Sequence, residues 1–301
     1  MHHDAIIVGG SFAGLAAALQ LARARRNVLV IDAGKPRNRF ATASHGFLGQ
    51  DGRTPAEILG TARQQLAAYR TATVRQDEAV QGFADGRGFA LRLADGDTVS
   101  ANRLVLATGV TDTLPGIPGL QDEWGRSVHH CPYCDGYEIG GSAIGVLAAS
   151  PMAMHQALLV ADWGPVTLFT NGAFAPASEE RAAMAARGIA VEPTPVRAWS
   201  RDAAGATGMD LSDGRRIALA GLFTASRTSM TSPIAEQLGC AFDDGMFGPV
   251  IRVDERQQTT VPGVFAAGDA ARSMHSVTFA VSTGAFAGIA AHQSMVFAQA
   301  A

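Results

Sequence analysis

Long apolar runs are missing from this 301-residue chain: no uninterrupted stretch approaches the roughly 18 residues that a membrane-spanning helix needs. A basic leader is missing too. The first residues carry Asp4 and no Lys or Arg cluster ahead of an apolar core, so no secretory signal is expected. Charge is sparse, at 17% of residues with a formal net charge of −3, which gives no electrostatic reason to bind nucleic acid or an anionic membrane. Cysteine occurs only three times, an odd count that suits a reducing compartment and makes the cytoplasm the expected location. There are no short tandem repeats and no charge blocks, and the alanine-rich stretches read as close helix packing. What remains is a 47% hydrophobic composition of globular type, long enough for two domains.

The N-terminus is the first informative segment. Residues 5–8 form an apolar run, followed by Gly9-Gly10-Ser11-Phe12-Ala13-Gly14, a helical stretch to about Arg25, a second apolar run over residues 28–31, and Asp32. Strand, glycine turn, helix, strand and an acid about 20 positions on make up the dinucleotide fingerprint in its proper context. One position departs from it. Ser11 stands where a glycine normally lets the backbone approach the pyrophosphate, but its small hydroxyl can itself donate to phosphate at a helix N-terminus.

Two of the three cysteines sit together as Cys131-Pro132-Tyr133-Cys134, with His129 and His130 before them and Asp135-Gly136 after. Two thiols at that spacing can close a small redox-active disulfide, and a thiolate beside an imidazole is the form that attacks sulfur or passes electrons on. Half of a zinc site is the rival reading. It lacks a second short-spaced ligand pair, since only Cys240 and scattered histidines remain, and no metal is expected. A purely structural disulfide would close too short a loop to add much stability.

At the other end, residues 260–269 run Thr-Val-Pro-Gly-Val-Phe-Ala-Ala-Gly-Asp, and a small-residue helix is expected from about Ser276. Read alone, this is a buried strand, a turn and a capping Asp. It also looks like the second FAD fingerprint of the pyridine nucleotide-disulfide oxidoreductases, in which the aspartate holds the ribityl chain. Over its full length the chain resembles the low-molecular-weight thioredoxin reductases, from the glycine-rich start through Leu106-Ala107-Thr108-Gly109 and Cys-x-x-Cys-Asp-Gly to this end.

That resemblance implies an α/β fold of two Rossmann-like, three-layer ββα dinucleotide-binding domains. The FAD domain would be discontinuous, over residues 1–114 and 227–301, with a central NADPH-like domain over 115–226 carrying the cysteines. The flavin site would comprise Gly9, Gly10, Ser11, Phe12, Ala13, Gly14, Asp32, Ala33, Arg39, His45, Val80, Ala107, Thr108, Gly109, Gly268, Asp269, His275 and Val277; His45 and His275 are placed near the ring by position. By the same resemblance Cys134 lies nearest the flavin, Cys131 exchanges with substrate sulfur, and a homodimer is expected. His130, next to Cys131, is the expected base, because imidazole titrates near working pH. Asp135, an acid catalyst in the reductases, shares or replaces that role, and His129 has a weaker case.

The coarse layout agrees. Thr54-Pro55-Ala56-Glu57 is a capping box opening a helix that carries Ile58, Leu59, Leu66 and Tyr69. Phe89, Leu91 and Leu93 alternate ahead of Asp95-Gly96, a hairpin signal. Residues 114–119 break regular structure as a hinge would, a second βαβ pattern starts at Ala143 with a helix from Pro151, and the chain is expected to cross back near residues 226–232.

In that second βαβ the turn reads Ala148-Ala149-Ser150-Pro151-Met152-Ala153, so a side chain crowds each early glycine position. After the next strand, Thr170-Asn171-Gly172-Ala173 offers neither arginines for a 2′-phosphate nor an acid for a free ribose hydroxyl. FAD is therefore the expected cofactor and NADPH a doubtful one. The expected activity is oxidation of a small dithiol through Cys131 and Cys134 and flavin, with oxygen as acceptor. It is similar to that of the dithiol oxidases of gliotoxin- and holomycin-type natural products, which share a Cys-Pro-aromatic-Cys centre. The alternatives are an NADPH- or ferredoxin-dependent thioredoxin reductase acting on a thioredoxin-like protein, and a non-catalytic flavin redox sensor.

Overall fold

A computed structural model describes residues 2–297. The chain divides into two compact units, one formed by residues 1–39, 47–111 and 228–301 and the other by residues 40–46 and 112–227.

The first unit opens with β1 (His2–Val8), α1 (Phe12–Arg23), β2 (Val28–Asp32), α2 (Pro55–Ala67), β3 (Ala72–Gln76), β4 (Ala79–Ala84), β5 (Phe89–Leu93) and β6 (Thr98–Leu106). β1 starts before the apolar run and α1 stops before Arg25, which turns left-handed at φ 56° while its N–H bonds back to Ala22 and so closes the helix. The α2 capping box forms as expected: Glu57 N–H donates to Thr54 Oγ1, and Thr54 N–H donates to Glu57 Oε2. Tyr69 falls just beyond α2, where its hydroxyl accepts from Arg23.

The sheet order is β3-β2-β1-β6-β5-β4. β3, β2, β1 and β6 run parallel, and β5 and β4 continue antiparallel as the expected meander. On its edge away from β1, β6 is long enough to serve two partners, pairing with β5 through Thr98–Ala101 and with a late strand through Leu104–Leu106. The strand order reverses between β1 and β6, so a crevice opens at the carboxyl end of β1.

The chain leaves this unit through β7 (Val110–Thr113). The second unit then holds β8 (Val128–His129), α3 (Pro132–Ile139), β9 (Ile144–Leu147), α4 (Met152–Val160), β10 (Val166–Phe169), α5 (Ser178–Ala186), β11 (Ala190–Glu192), β12 (Val196–Arg201), β13 (Thr207–Leu211), β14 (Arg216–Ala218) and β15 (Gly221–Thr224). Its main sheet, β11-β10-β9-β15-β8, is parallel throughout, and β12-β13-β14 form a small antiparallel sheet. Buried on both faces, β9 and β15 read as continuous apolar runs and not as alternating ones. This sheet reverses between β9 and β15, which puts its crevice at the carboxyl end of β9.

The return passes through β16 (Arg227–Met230), α6 (Ile234–Gln237), β17 (Phe242–Asp244), β18 (Pro249–Ile251), β19 (Val264–Ala266) and α7 (Val277–Phe297). β19 joins β6 in parallel, and α7 lays Gly284 and Gly288 against the backbone of Ala13 and Ala17 in α1. Separate apolar cores fill the units, with Leu21, Ile7 and Phe265 in the first and Val146, Leu168 and Phe223 in the second. Among the described residues no helix is long and apolar enough to cross a membrane.

Candidate functional site

In the first unit the turn after β1 lies at the crevice. Gly9 has φ +108°, its N–H donates to Ile31 O at 2.8 Å, and a Cβ there would lie 2.2 Å from Ala107 O. A Cβ on Gly14 would lie 1.7 Å from Gly9 O, so only glycine lets α1 start this close to the turn. Ser11 caps α1 in extended conformation without using its side chain in the cap. Asp32, at the end of β2, accepts from Gly34 N and from Arg63 Nη2, both at 2.9 Å. A carboxylate has about four lone-pair sites, so a ribose hydroxyl still finds acceptors there.

At the end of β19, Gly268 and Asp269 enter a 3-10 turn, and Asp269 Oδ2 accepts from Arg37 Nη1 at 2.8 Å. A backbone cradle closed to side chains, an acid at each strand end and a helix N-terminus facing the turn fit a dinucleotide such as FAD. The flavin-site candidates are scattered around this frame. Ala107 is buried against the turn, Thr108 and Gly109 follow it, Phe12 and Ala13 begin α1, and Val277 begins α7. Ala33 follows β2, and Arg39 donates to Pro36 O. Val80 is 40% exposed on β4, and His275 lies ahead of α7 with its ring 6.1 Å from Phe247. His45 groups with the second unit, its Nε2 3.4 Å from Glu138 Oε1.

In the second unit Cys131 and Cys134 form a disulfide with their Cα atoms 5.3 Å apart. Cys131 is the N-cap of α3, Pro132 its first residue, and Cys134 lies in the first turn, with its N–H donating to Cys131 O. Proline at that position has φ preset for the helix and lacks only an N–H that would go unused. Gly136 is required by packing, since a Cβ would lie 2.9 Å from Trp163 Cδ2. The same indole meets Tyr133 edge-on at 5.6 Å, and Tyr133 and Tyr137 project outward, 72% and 86% exposed. The disulfide lies at the carboxyl end of β8, with Gln156 Nε2 of α4 donating to His130 O at 3.2 Å just before it.

The imidazole that the fold brings to Asp135 is His129. It is buried at the end of β8, its ring tilted 5.7 Å from Phe223, and its Nδ1 lies 3.2 Å from Asp135 Oδ1, at ion-pair distance but not aligned as a hydrogen bond. His130 is half-buried beside Cys131. Sequence reasoning favoured His130 as the base for its place beside Cys131, and the approach of His129 to Asp135 was not foreseen, because nothing in a His-His pair says which ring a strand turns inward. Arg37, Arg63 and Gln156 were also missed, since each acts on residues distant in sequence.

The crevice of the second unit differs from that of the first. Ala148 N–H donates to Phe169 O at 2.9 Å, the counterpart of Gly9 with Ile31, so the two turns superpose in role. Neither Ala148 nor Ser150 has positive φ, and Pro151 caps α4, where it removes an N–H that a phosphate would use. Thr170 is buried, and Asn171 spends its Oδ1 on Val196 N at 2.8 Å. Arg215 is held by Glu192 and Asp213. Among the described residues no three His, Cys, Asp or Glu side chains gather to hold a metal.

Two Rossmann-type units, one with a glycine cradle and one with a Cys-x-x-Cys disulfide, define a flavin-type disulfide oxidoreductase. The chain belongs to the pyridine nucleotide-disulphide oxidoreductase family, whose model matches residues 3–284. The thioredoxin reductase tcpT of Claviceps purpurea is 36% identical, over 95% of this chain and 92% of that one. An oxidoreductase from Agrobacterium tumefaciens superposes with a TM-score of 0.95 at 50% identity, covering 99% of both chains. HlmI superposes with a TM-score of 0.90 at 34% identity, over 97% of this chain and 92% of its own.

Proposed function

We propose that this protein is an FAD-dependent dithiol oxidase that closes a small organic dithiol to a disulfide through Cys131 and Cys134, with oxygen as final acceptor. The observation that carries this reading is the βα turn at Ala148, Ser150 and Pro151. It has the backbone contact of a dinucleotide turn but not its left-handed first residue, nor its free helix N–H. The likeness to HlmI is compatible with this reading.

FAD would be held by Gly9 to Gly14, Asp32 and Asp269, and when bound it supplies a two-electron acceptor that oxygen can reoxidise. The protein's own part is the exchange at sulfur. Cys131 takes the substrate sulfur in a mixed disulfide, and Cys134 receives the electron pair of the broken bond. Both sit at the N-terminal turn of α3, where partial positive charge favours a thiolate. Tyr133 and Tyr137 give the approach an apolar rim suited to a small molecule with ring or aliphatic surface.

Anaerobic mixing tests this. Dithiothreitol should bleach the flavin, and admitting air should restore it with formation of peroxide, while NADPH bleaches it slowly and without saturation. Fast, saturable bleaching by NADPH would overturn the oxidase reading in favour of an NADPH-dependent reductase.

A further inference from the structure

We propose that His129 is a positioning residue that holds Asp135, so that the two accept the substrate thiol's proton as one unit at the Cys131–Cys134 disulfide. This rests on the reading of that centre as dithiol-oxidising. The pair brackets the disulfide: His129 stands two residues before Cys131, Asp135 follows Cys134, and their side chains close the segment at 3.2 Å. His129 is 7% exposed and Asp135 29%, so the carboxylate is the member that solvent and substrate can reach.

The chemistry needs more than a lone carboxylate. A carboxyl group ordinarily titrates about four to five units below a thiol, and an imidazole only about two. A proton accepted at Asp135 and shared with the imidazole behind it is therefore held against a thiol far better than by carboxylate alone. The arrangement has the logic of a base oriented by a buried partner.

The first substrate thiol gives its proton to the Asp135–His129 pair, its sulfur bonds to Cys131, the Cys131–Cys134 bond breaks, and the electron pair leaves on Cys134 as thiolate. The second substrate thiol then attacks the first substrate sulfur, the bond to Cys131 breaks, and Cys131 departs with that electron pair and the second proton. The substrate is oxidised by two electrons and the protein disulfide is the oxidant.

Other ionisable groups lie on the elements around the pair. His130, Tyr133, Tyr137 and Glu138 share its segment, His45 lies against Glu138, and α4 carries His155; β15 contributes Phe223 and no charge. The Asp162–Arg187 ion pair lies just beyond α4.

The test is anaerobic rapid mixing of the FAD-loaded protein with dithiothreitol from about pH 5 to 9, a range spanning imidazole and thiol titration. Freed protein thiols are counted by alkylation and mass, alongside flavin absorbance. The wild-type rate is expected to rise and level off near neutrality. His129→Gln and Asp135→Asn should each slow the reaction about 10-fold or more and follow the reagent's own thiolate fraction, and the double variant should be no slower than the slower single one. His155→Gln serves as a control expected to keep the wild-type profile. A wild-type profile in His129→Gln, or additive slowing in the double variant, overturns the proposal.

Should His129→Gln not fold, His129→Asn takes its place in the same rapid-mixing series, and a wild-type pH profile in that variant overturns the proposal. If dithiothreitol fails to reduce the wild-type disulfide at any pH, the dithiol-oxidising reading fails and this inference with it. If wild type reacts and the variants keep its profile, only the role of His129 fails.

Discussion

Arg37 and Asp269 are 232 residues apart in sequence and meet through a 2.8 Å hydrogen-bonded ion pair, each side chain about one-fifth exposed. The contact ties the loop after β2 to the turn after β19, the two ends of the discontinuous unit. Asp269→Ala should lower the flavin-to-protein absorbance ratio of the purified protein by removing the acid expected to bind the ribityl chain. Arg37→Met should lower it less, since it removes only the group orienting that acid. Full flavin content in Asp269→Ala would remove Asp269 from the site.

The two glycine-turn positions should respond in opposite ways to substitution. Gly9→Ala demands a left-handed backbone from alanine and drives its Cβ into Ala107 O, so the expected product is colourless or unfolded protein. Ala148→Gly should leave flavin content intact and still not permit rapid reduction by NADPH, because Pro151 continues to lack an N–H. NADPH-driven bleaching in Ala148→Gly would show that one methyl group alone blocked the site.

The two cysteines should separate by mass spectrometry. Cys134→Ser leaves Cys131 without its internal partner, so a substrate disulfide should accumulate on Cys131 as a stable adduct. Cys131→Ser should abolish turnover while retaining flavin. Adduct formation on Cys134 in the Cys131→Ser protein, at the rate seen for Cys131, would reverse the assignment.

Gly136→Ala tests the packing of α3. The added methyl would meet the Trp163 indole at 2.9 Å, and overpacking of this kind costs about 1–3 kcal/mol. A lower melting temperature is expected, and an unchanged one would mean that the indole yields without cost.

Acid stability should depend on Glu192. Hydrogen bonding to Arg215 pulls its carboxyl from the ordinary 4.5 down to about 2. Because the folded value lies below the unfolded one, its contribution is fully present above pH 4.5 and is lost as the pH falls toward 2. Arg215→Ala should thus lower the urea midpoint at neutral pH and flatten its decline through that window. A parallel displacement of the two curves would assign the effect to packing.

Much of this protein was legible from local pattern, because its chemistry is written in contiguous segments. The Gly9–Gly14 turn, the Thr54 capping box, the Phe89–Leu93 alternation and the Cys131–Cys134 spacing each carry their physical cause within a few residues. For the same reason Ala148 and Ser150 already marked the second turn as altered. Tertiary structure alone decided the rest. Which of His129 and His130 meets Asp135 depends on how β8 pairs with β15, and the meeting of Arg37 with Asp269 depends on β19 joining β6. His45, expected near the flavin ring from its position in the chain, has its Nε2 3.4 Å from Glu138 Oε1, a contact between residues distant in sequence that packing sets.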